Sequence, residues 1–299
     1  MSASGSIYDL GYQGYDGPRL GRVAVTRGLL RGTLQAAYGI GRGGRAKIVP
    51  FGLGALALLP AVLAVGITAL VSQTGAGAAL GEASPIRHDT YQGLTSTLIM
   101  LFCAAQAPEL FGKDQRYGVL PLYFSRVLTR SDYAIARLGG LFLAVFLVSV
   151  VPQVVLTLGA ILAAPDPLTG LTDEAAAIPR YLAMSALAAG LLSAIAAVIA
   201  AWTPRRAYAT AGIIAVFIVP TIVVTIVAEL AAGDVARLLL FTSVGDLLEG
   251  VNAAIFETIA ASAPVTSANF PGWVYVAATV VGIVAGTAIV LRRYQGVSG

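Results

Sequence analysis

Residues 138–163 read LGGLFLAVFLVSVVPQVVLTLGAILA, a stretch without a single charged side chain. At 1.5 Å per residue, a helix of this length crosses a hydrocarbon core about 30 Å thick. Working outward along the chain, five more such runs occur, at about 48–71, 92–111, 180–202, 209–231 and 272–291. Each has the roughly 20 predominantly apolar residues that a span requires. The whole chain agrees, with 57% hydrophobic residues, 11% charged residues and a mean hydropathy of +0.82. The fold class read from this pattern is an all-α integral membrane protein with six transmembrane helices. Residues 1–46 form an N-terminal segment, and residues 47–299 form the six-span domain. Pro60, Pro152 and Pro220 fall inside runs, where neighbouring helices satisfy the freed carbonyls, so each marks an expected kink.

The basic residues orient these spans. Arg19, Arg22, Arg27, Arg31, Arg42, Arg45 and Lys47 precede the first run, and Lys113, Arg116, Arg126, Arg130 and Arg137 separate the second from the third. Arg205 and Arg206 separate the fourth from the fifth, and Arg292 and Arg293 follow the sixth. Only Arg87, Arg180 and Arg237 lie in the alternate segments. Positively charged loops stay in the cytoplasm, so both termini are expected inside. The net charge of +4 then describes loops facing an anionic leaflet rather than a nucleic-acid surface. Nothing near the start reads as a cleavable signal. Arginine outnumbers lysine 17 to 2 and alanine is abundant, a bias expected of a GC-rich bacterial genome and hence of a cell membrane.

Two further segments read as helices outside the spans. Between Ala24 and Ile40, Arg27, Arg31, Gln35 and Tyr38 follow one helical stripe, while Val25, Leu29, Leu30, Leu34, Ala36 and Ile40 occupy the other side. This pattern predicts an amphipathic helix in the cytoplasmic headgroup layer of membrane lipid. From 232 to 271, on the external side, Ser243 is expected to cap a helix running from Val244 to Ala260. Leu247, Leu248, Val251 and Ile255 share one face of it, and Asp246, Glu249 and Glu257 the other. A re-entrant or surface-lying helical hairpin follows. In the fourth and sixth spans, Ser185, Ala189, Ser193, Ala197 and Ala201, and Ala278, Gly282 and Gly286, recur every four residues. Small residues at this spacing let helices approach closely, within the bundle or against a second copy.

Catalytic chemistry is hard to place on this chain. His88 is the single histidine, in an external loop with no second metal ligand at suitable spacing. Cys103 is the single cysteine and lies in an apolar run, so no disulfide forms within the chain. Gln106 and Gln153 are the notable polar residues inside spans; interhelical hydrogen bonding is their usual role, and substrate contact the alternative. A P-loop needs a lysine before Ser or Thr, but Lys47 precedes isoleucine and Lys113 precedes aspartate. Any ATP-driven work therefore needs a second polypeptide.

The most informative segment is the connection between the second and third spans, APELFGKDQRYGVLPLYFSRVLTRSDYAIARLGG from Ala107 to Gly140. A charged lead-in is followed by Tyr117-Gly118 and the apolar-aromatic stretch Val119 to Phe124. Ser131 is expected to cap the third span, with Asp132 favourable at its N-terminus. Exposed Leu, Tyr and Phe are costly unless they dock into a partner. Glu109, Asp114, Arg116, Gly118, Leu120, Ser125, Arg126 and Tyr133 give this connection a pattern that resembles the ABC-2-type permeases, the membrane subunits of ATP-binding-cassette exporters. The order of an amphipathic helix, six spans and helices between the fifth and sixth resembles that family too. Pro121 departs from a regular helix start within the stretch.

The resemblance implies a permease with no cofactor of its own, ATP and magnesium being bound by a cytosolic ABC ATPase subunit. It implies a second permease copy or paralogue, and a coupling element at 107–137. There Arg116 and Arg126 would make polar contacts with the ATPase, and Leu120, Leu122 and Tyr123 would form the apolar anchor. The importer-type Glu-Ala-Ala loop is absent, which favours export. Two other readings stay open: a secondary carrier or channel, and a non-transporting membrane scaffold.

Overall fold

The computed structural model describes Gly17 and residues 21–73, 86–125, 128–230 and 234–296. Arg19, Arg126 and most of the expected loop 72–91 lie outside the described residues. The elements in order are α1 (Arg22–Ala37), α2 (Arg45–Gln73), α3 (His88–Arg116), α4 (Leu120–Phe124), α5 (Arg130–Ala163), α6 (Pro167–Glu174) and α7 (Ala177–Trp202). They continue with α8 (Arg206–Leu230), α9 (Asp234–Leu239), a 3-10 turn (Leu240–Thr242), α10 (Val244–Phe256), α11 (Ala263–Ala268) and α12 (Gly272–Gln295). No strand occurs among the described residues. Six of these helices, α2, α3, α5, α7, α8 and α12, are long and apolar enough to cross a membrane.

Their arrangement follows from which faces are apolar all round. In the most apolar window of α3, α5 and α7, 61%, 56% and 61% of residues are buried, against 22%, 17% and 22% in α2, α8 and α12. The first three are therefore the centre, and the others sheathe it. The sheath presents Leu56, Leu59, Leu63 and Leu70 on α2, Val219, Ile222 and Ile226 on α8, and Val281 and Val284 on α12. An apolar exterior of this extent suits lipid rather than water. The spans run through their prolines as continuous helices: Pro60 in α2, Pro152 in α5 and Pro220 in α8.

Close approach depends on glycine at two contacts. A Cβ on Gly286 of α12 would lie 3.0 Å from Ala194 Cβ on α7, and one on Gly282 would lie 2.8 Å from Leu191 Cδ1. The glycines of the sixth span thus meet Leu191 and Ala194 rather than the small-residue series of the fourth, whose members Ser185, Ala189, Ser193, Ala197 and Ala201 are all buried, Ser185 accepting from Ser149 of α5 at 2.9 Å.

The N-terminal helix forms where its periodicity places it but is more firmly docked than a surface element. Thr33 and Ala37 are buried, and a Cβ on Gly140 of α5 would lie 2.6 Å from Thr33. Tyr38, expected on the polar stripe, turns inward instead: its hydroxyl donates to Ala144 O at 2.9 Å, and its ring packs near Phe51 and Phe102. Ile40, expected on the apolar side, is exposed. The reason is the turn itself. Gly39 takes φ +67, and any Cβ there would lie 2.6 Å from Ala46 O, so the chain leaves the helix before Tyr38 completes the stripe.

Two boundaries differ from expectation. The connection between the second and third spans is shorter, since α3 continues to Arg116 and α5 begins at Arg130. Thr129, not Ser131, caps α5, accepting from Asp132 N while Asp132 accepts from Thr129 N. This reciprocal box satisfies two backbone donors where a cap at Ser131 would leave them open. Ser243 does cap α10, whose end at Phe256 falls four residues short of Ala260 because Glu257 adopts a left-handed φ of 57. Asp246, expected on the polar face of α10, is buried, bonded to Ser243 Oγ and Ser262 Oγ at 2.5 Å each.

Candidate functional site

The helix ends collect the charged residues at one end of the bundle, where α2, α5 and α8 begin and α3, α7 and α12 finish. Glu109, on the last turns of α3, organises this end. Its carboxylate pairs with Arg42 from the α1–α2 turn, with Arg206 of α8 at 3.3 Å and with Lys113 at 4.0 Å. One side chain, 16% exposed, thereby ties three parts of the chain together.

Asp114, one turn further along, faces the opposite way. It pairs with Arg137 of α5 and accepts from Tyr133 Oη at 2.7 Å. Arg137 is only 8% exposed and also donates to Thr33 of α1 at 3.4 Å. Ions taken out of water in this way need their partners. On the outside of the same corner, Arg22 of α1 grips Asp132 with two hydrogen bonds of 2.6 and 2.8 Å. Its bonded carboxylate partner holds the Arg22 guanidinium above its usual value. Gln115 donates to Tyr294 of α12 at 3.0 Å, and Gln295 to Ser131 at 3.1 Å.

The short helix α4 hangs from this lattice. Gly118 takes φ +64, which reverses the chain after α3. Pro121 is the second residue of α4, a first-turn position where the missing N–H costs nothing. Leu120 is buried. Tyr123 and Phe124 pack on Tyr133 with ring centroids at 5.4 and 5.9 Å, and Tyr133 packs on Tyr294 at 5.2 Å. Exposed at the tip are Arg116, Tyr117 at 66%, Gly118, and Leu122 at 69%. Beside them, a groove of about 480 Å³ runs between α1 and α4, lined by Val25, Leu29, Val119, Leu122, Tyr123 and Leu128.

The residues picked out in the sequence therefore divide. Leu120 and Tyr123 face inward from α4, Asp114 holds the Tyr133 ring beneath Tyr123, and Glu109 ties α3 to the α1–α2 turn and α8; Arg116 at the end of α3, Gly118 in the turn and Leu122 on α4 are exposed. Arg126 lies outside the described residues. Gln106 and Gln153 are both buried, on α3 and α5. Gln153 bonds His88, which opens α3 rather than standing in a loop. The braces from α1 and the turn after it, Arg22 to Asp132 and Arg42 to Glu109, had no sequence signal beyond opposite charge. Among the described residues, no three His, Cys, Asp or Glu side chains gather as metal ligands.

The class that this fold defines is a multi-pass helical membrane protein, by six spanning-length apolar helices and an apolar exterior. No family model matches the chain, and no curated protein matches it.

Proposed function

We propose that this chain is the membrane-spanning half of an ATP-binding-cassette exporter of the ABC-2 type, coupled to a separate cytosolic ATPase through α4. The observation that carries the reading is Leu122, a large apolar side chain left 69% exposed on a helix whose other side is anchored in the bundle. Exposed leucine on the wall of an apolar groove fits insertion of a short helix into a partner's cleft. The brace extends the argument to mechanism. Tyr123 of α4 packs on Tyr133, which bonds Asp114, and α3 is tied to α5 through Asp114 and to the α1–α2 turn and α8 through Glu109, so a push on α4 would move these helices together, as rigid-body rocking of a bundle requires.

The orientation follows the basic residues, with the Glu109 end cytoplasmic, both termini inside, α1 at the inner headgroup layer and α9–α11 outside. The bacterial cell membrane is the proposed location. A second permease, identical or homologous, completes the path, and the ATPase supplies the ATP and magnesium chemistry. A photocrosslinking amino acid at position 122 tests the reading in native membranes, with position 94 on the bundle's exterior as control. Capture of a P-loop ATPase from 122 and not from 94 is expected; equal lipid-only labelling from both positions rejects the docking role.

A further inference from the structure

At the end of the bundle away from α4, the chain's single histidine joins four elements. His88 is the first residue of α3. Its Nδ1 lies 2.6 Å from Gln153 Oε1 on α5, and its Nε2 lies 3.0 Å from Glu174 Oε2, the last residue of α6. The ring stacks on Tyr181 of α7, with centroids 5.1 Å apart and planes at 24°. The orientation of the Gln153 amide is fixed by its other bond, because Nε2 donates to His88 O at 3.2 Å and a carbonyl can only accept. Oε1 must then face Nδ1 as an acceptor. The Glu174 carboxylate is an acceptor as well. Both ring nitrogens point at oxygen, and the arrangement is complete only when the cluster holds one proton more than a neutral imidazole and a carboxylate carry between them.

We propose that this cluster is a proton-dependent latch, in which an imidazolium at His88 fastens the C-terminal end of α6 to the starts of α3 and α7. Loss of one proton to water leaves a ring lone pair facing either the Gln153 or the Glu174 oxygen, so one of the two bonds is lost. Gln153 is fully buried and held by the His88 backbone; Glu174 sits on an eight-residue helix, so the Glu174 bond gives way. The other half of α6 does not follow. Gly170 packs so closely on α5 that a Cβ there would lie 2.9 Å from Ile161 Cα. Release therefore swings α6 about Gly170, and α6 borders a cavity of about 340 Å³ walled by α2, α5 and α7.

The surrounding charges are mostly committed elsewhere. Arg87, capping α3, lies 3.5 Å from Asp89; on α7, Arg180 lies 3.3 Å from Glu257 beyond α10. Asp173 on α6 is exposed, α7 adds the Tyr181 phenol, and α2 and α5 bring no ionisable group to the cavity wall. Glu174 is thus the carboxylate that reads the imidazole. If the orientation proposed above holds, the latch responds to pH outside the cell.

The test uses the full chain in lipid nanodiscs, with 15N-histidine labelling and spin labels at Leu94→Cys and Ala175→Cys, exposed positions on α3 and just after the moving end of α6. Cys103 is fully buried and stays in place unlabelled. Spectra and distances are compared at an acidic end of about pH 5 and a basic end of about pH 8. At the acidic end, the single histidine should show two ring N–H signals and the spin labels one narrow distance distribution. At the basic end, one N–H signal should vanish and the distances broaden. Glu174→Gln should give the broad distribution at both ends. A ring with one N–H at the acidic end, or distances unchanged while the second N–H disappears, overturns the latch. Should Glu174→Gln fail to fold, the wild-type signals decide alone.

Discussion

Removing the Asp114 carboxylate tests the buried brace. In Asp114→Ala, Arg137 keeps its position, 8% exposed, but loses its carboxylate. What remains is a long hydrogen bond to Thr33 of 3.4 Å and the Tyr133 ring at 5.3 Å. The Arg137 Nε already has no partner, and Tyr133 loses its own acceptor. Stranding one member of a buried pair costs about 3–5 kcal/mol. Replacing both members with apolar groups of similar volume is often neutral, so Asp114→Leu with Arg137→Met should lose much less than Asp114→Ala alone. Unfolding in mixed detergent micelles, followed by the fluorescence of Trp202 and Trp273, reads the wild type and both variants. If Asp114→Ala loses less than about 1 kcal/mol, the pair behaves as a surface ion pair. The claim that it braces α4 then fails.

Three other outcomes follow from the geometry. Gly140→Leu forces atoms into the space held by Thr33 and should cost about 1–3 kcal/mol by overpacking, read as new protease cleavage within α1. In the proposed orientation, a cysteine at Ile259, 91% exposed, should react with an impermeant maleimide on intact cells, and one at Tyr117 only after permeabilisation; the reverse pattern inverts the topology. Burial pushes the Tyr38 phenol up to about 12, so the unfolded chain releases that proton first. Stability should fall as pH rises from about 10 towards 12, and Tyr38→Phe should make the fall shallower. An unchanged slope contradicts the buried placement of Tyr38.

The spans were legible because each carries its own signal, a run of apolar residues long enough for the bilayer. So were α1 and the Ser243 cap, which depend on neighbours within a few positions. What the sequence hid depends on distant partners. His88 read as a loop residue because Gln153 and Glu174 lie 65 and 86 positions away. Asp246 read as solvated because helical periodicity put it opposite the apolar face; its partner Ser262 arrives from the next helix. Thr129 and Ser131 are both acceptable caps locally, and Arg22, reaching Thr129 and Asp132 from α1, favours the former. For α4, the sequence marked the segment correctly but not which side chains face inward. Leu120 and Tyr123 alternate with exposed Leu122 only because Tyr133 supplies the surface beneath them.

The central claim, that this chain works with a separate ATPase, is tested most directly by purifying it from its native membrane in mild detergent after crosslinking, and identifying its companions by mass spectrometry. The account predicts a stoichiometric P-loop protein that hydrolyses ATP, present with the wild type and lost with Leu122→Asp. Recovery of the intact chain without any such protein contradicts it.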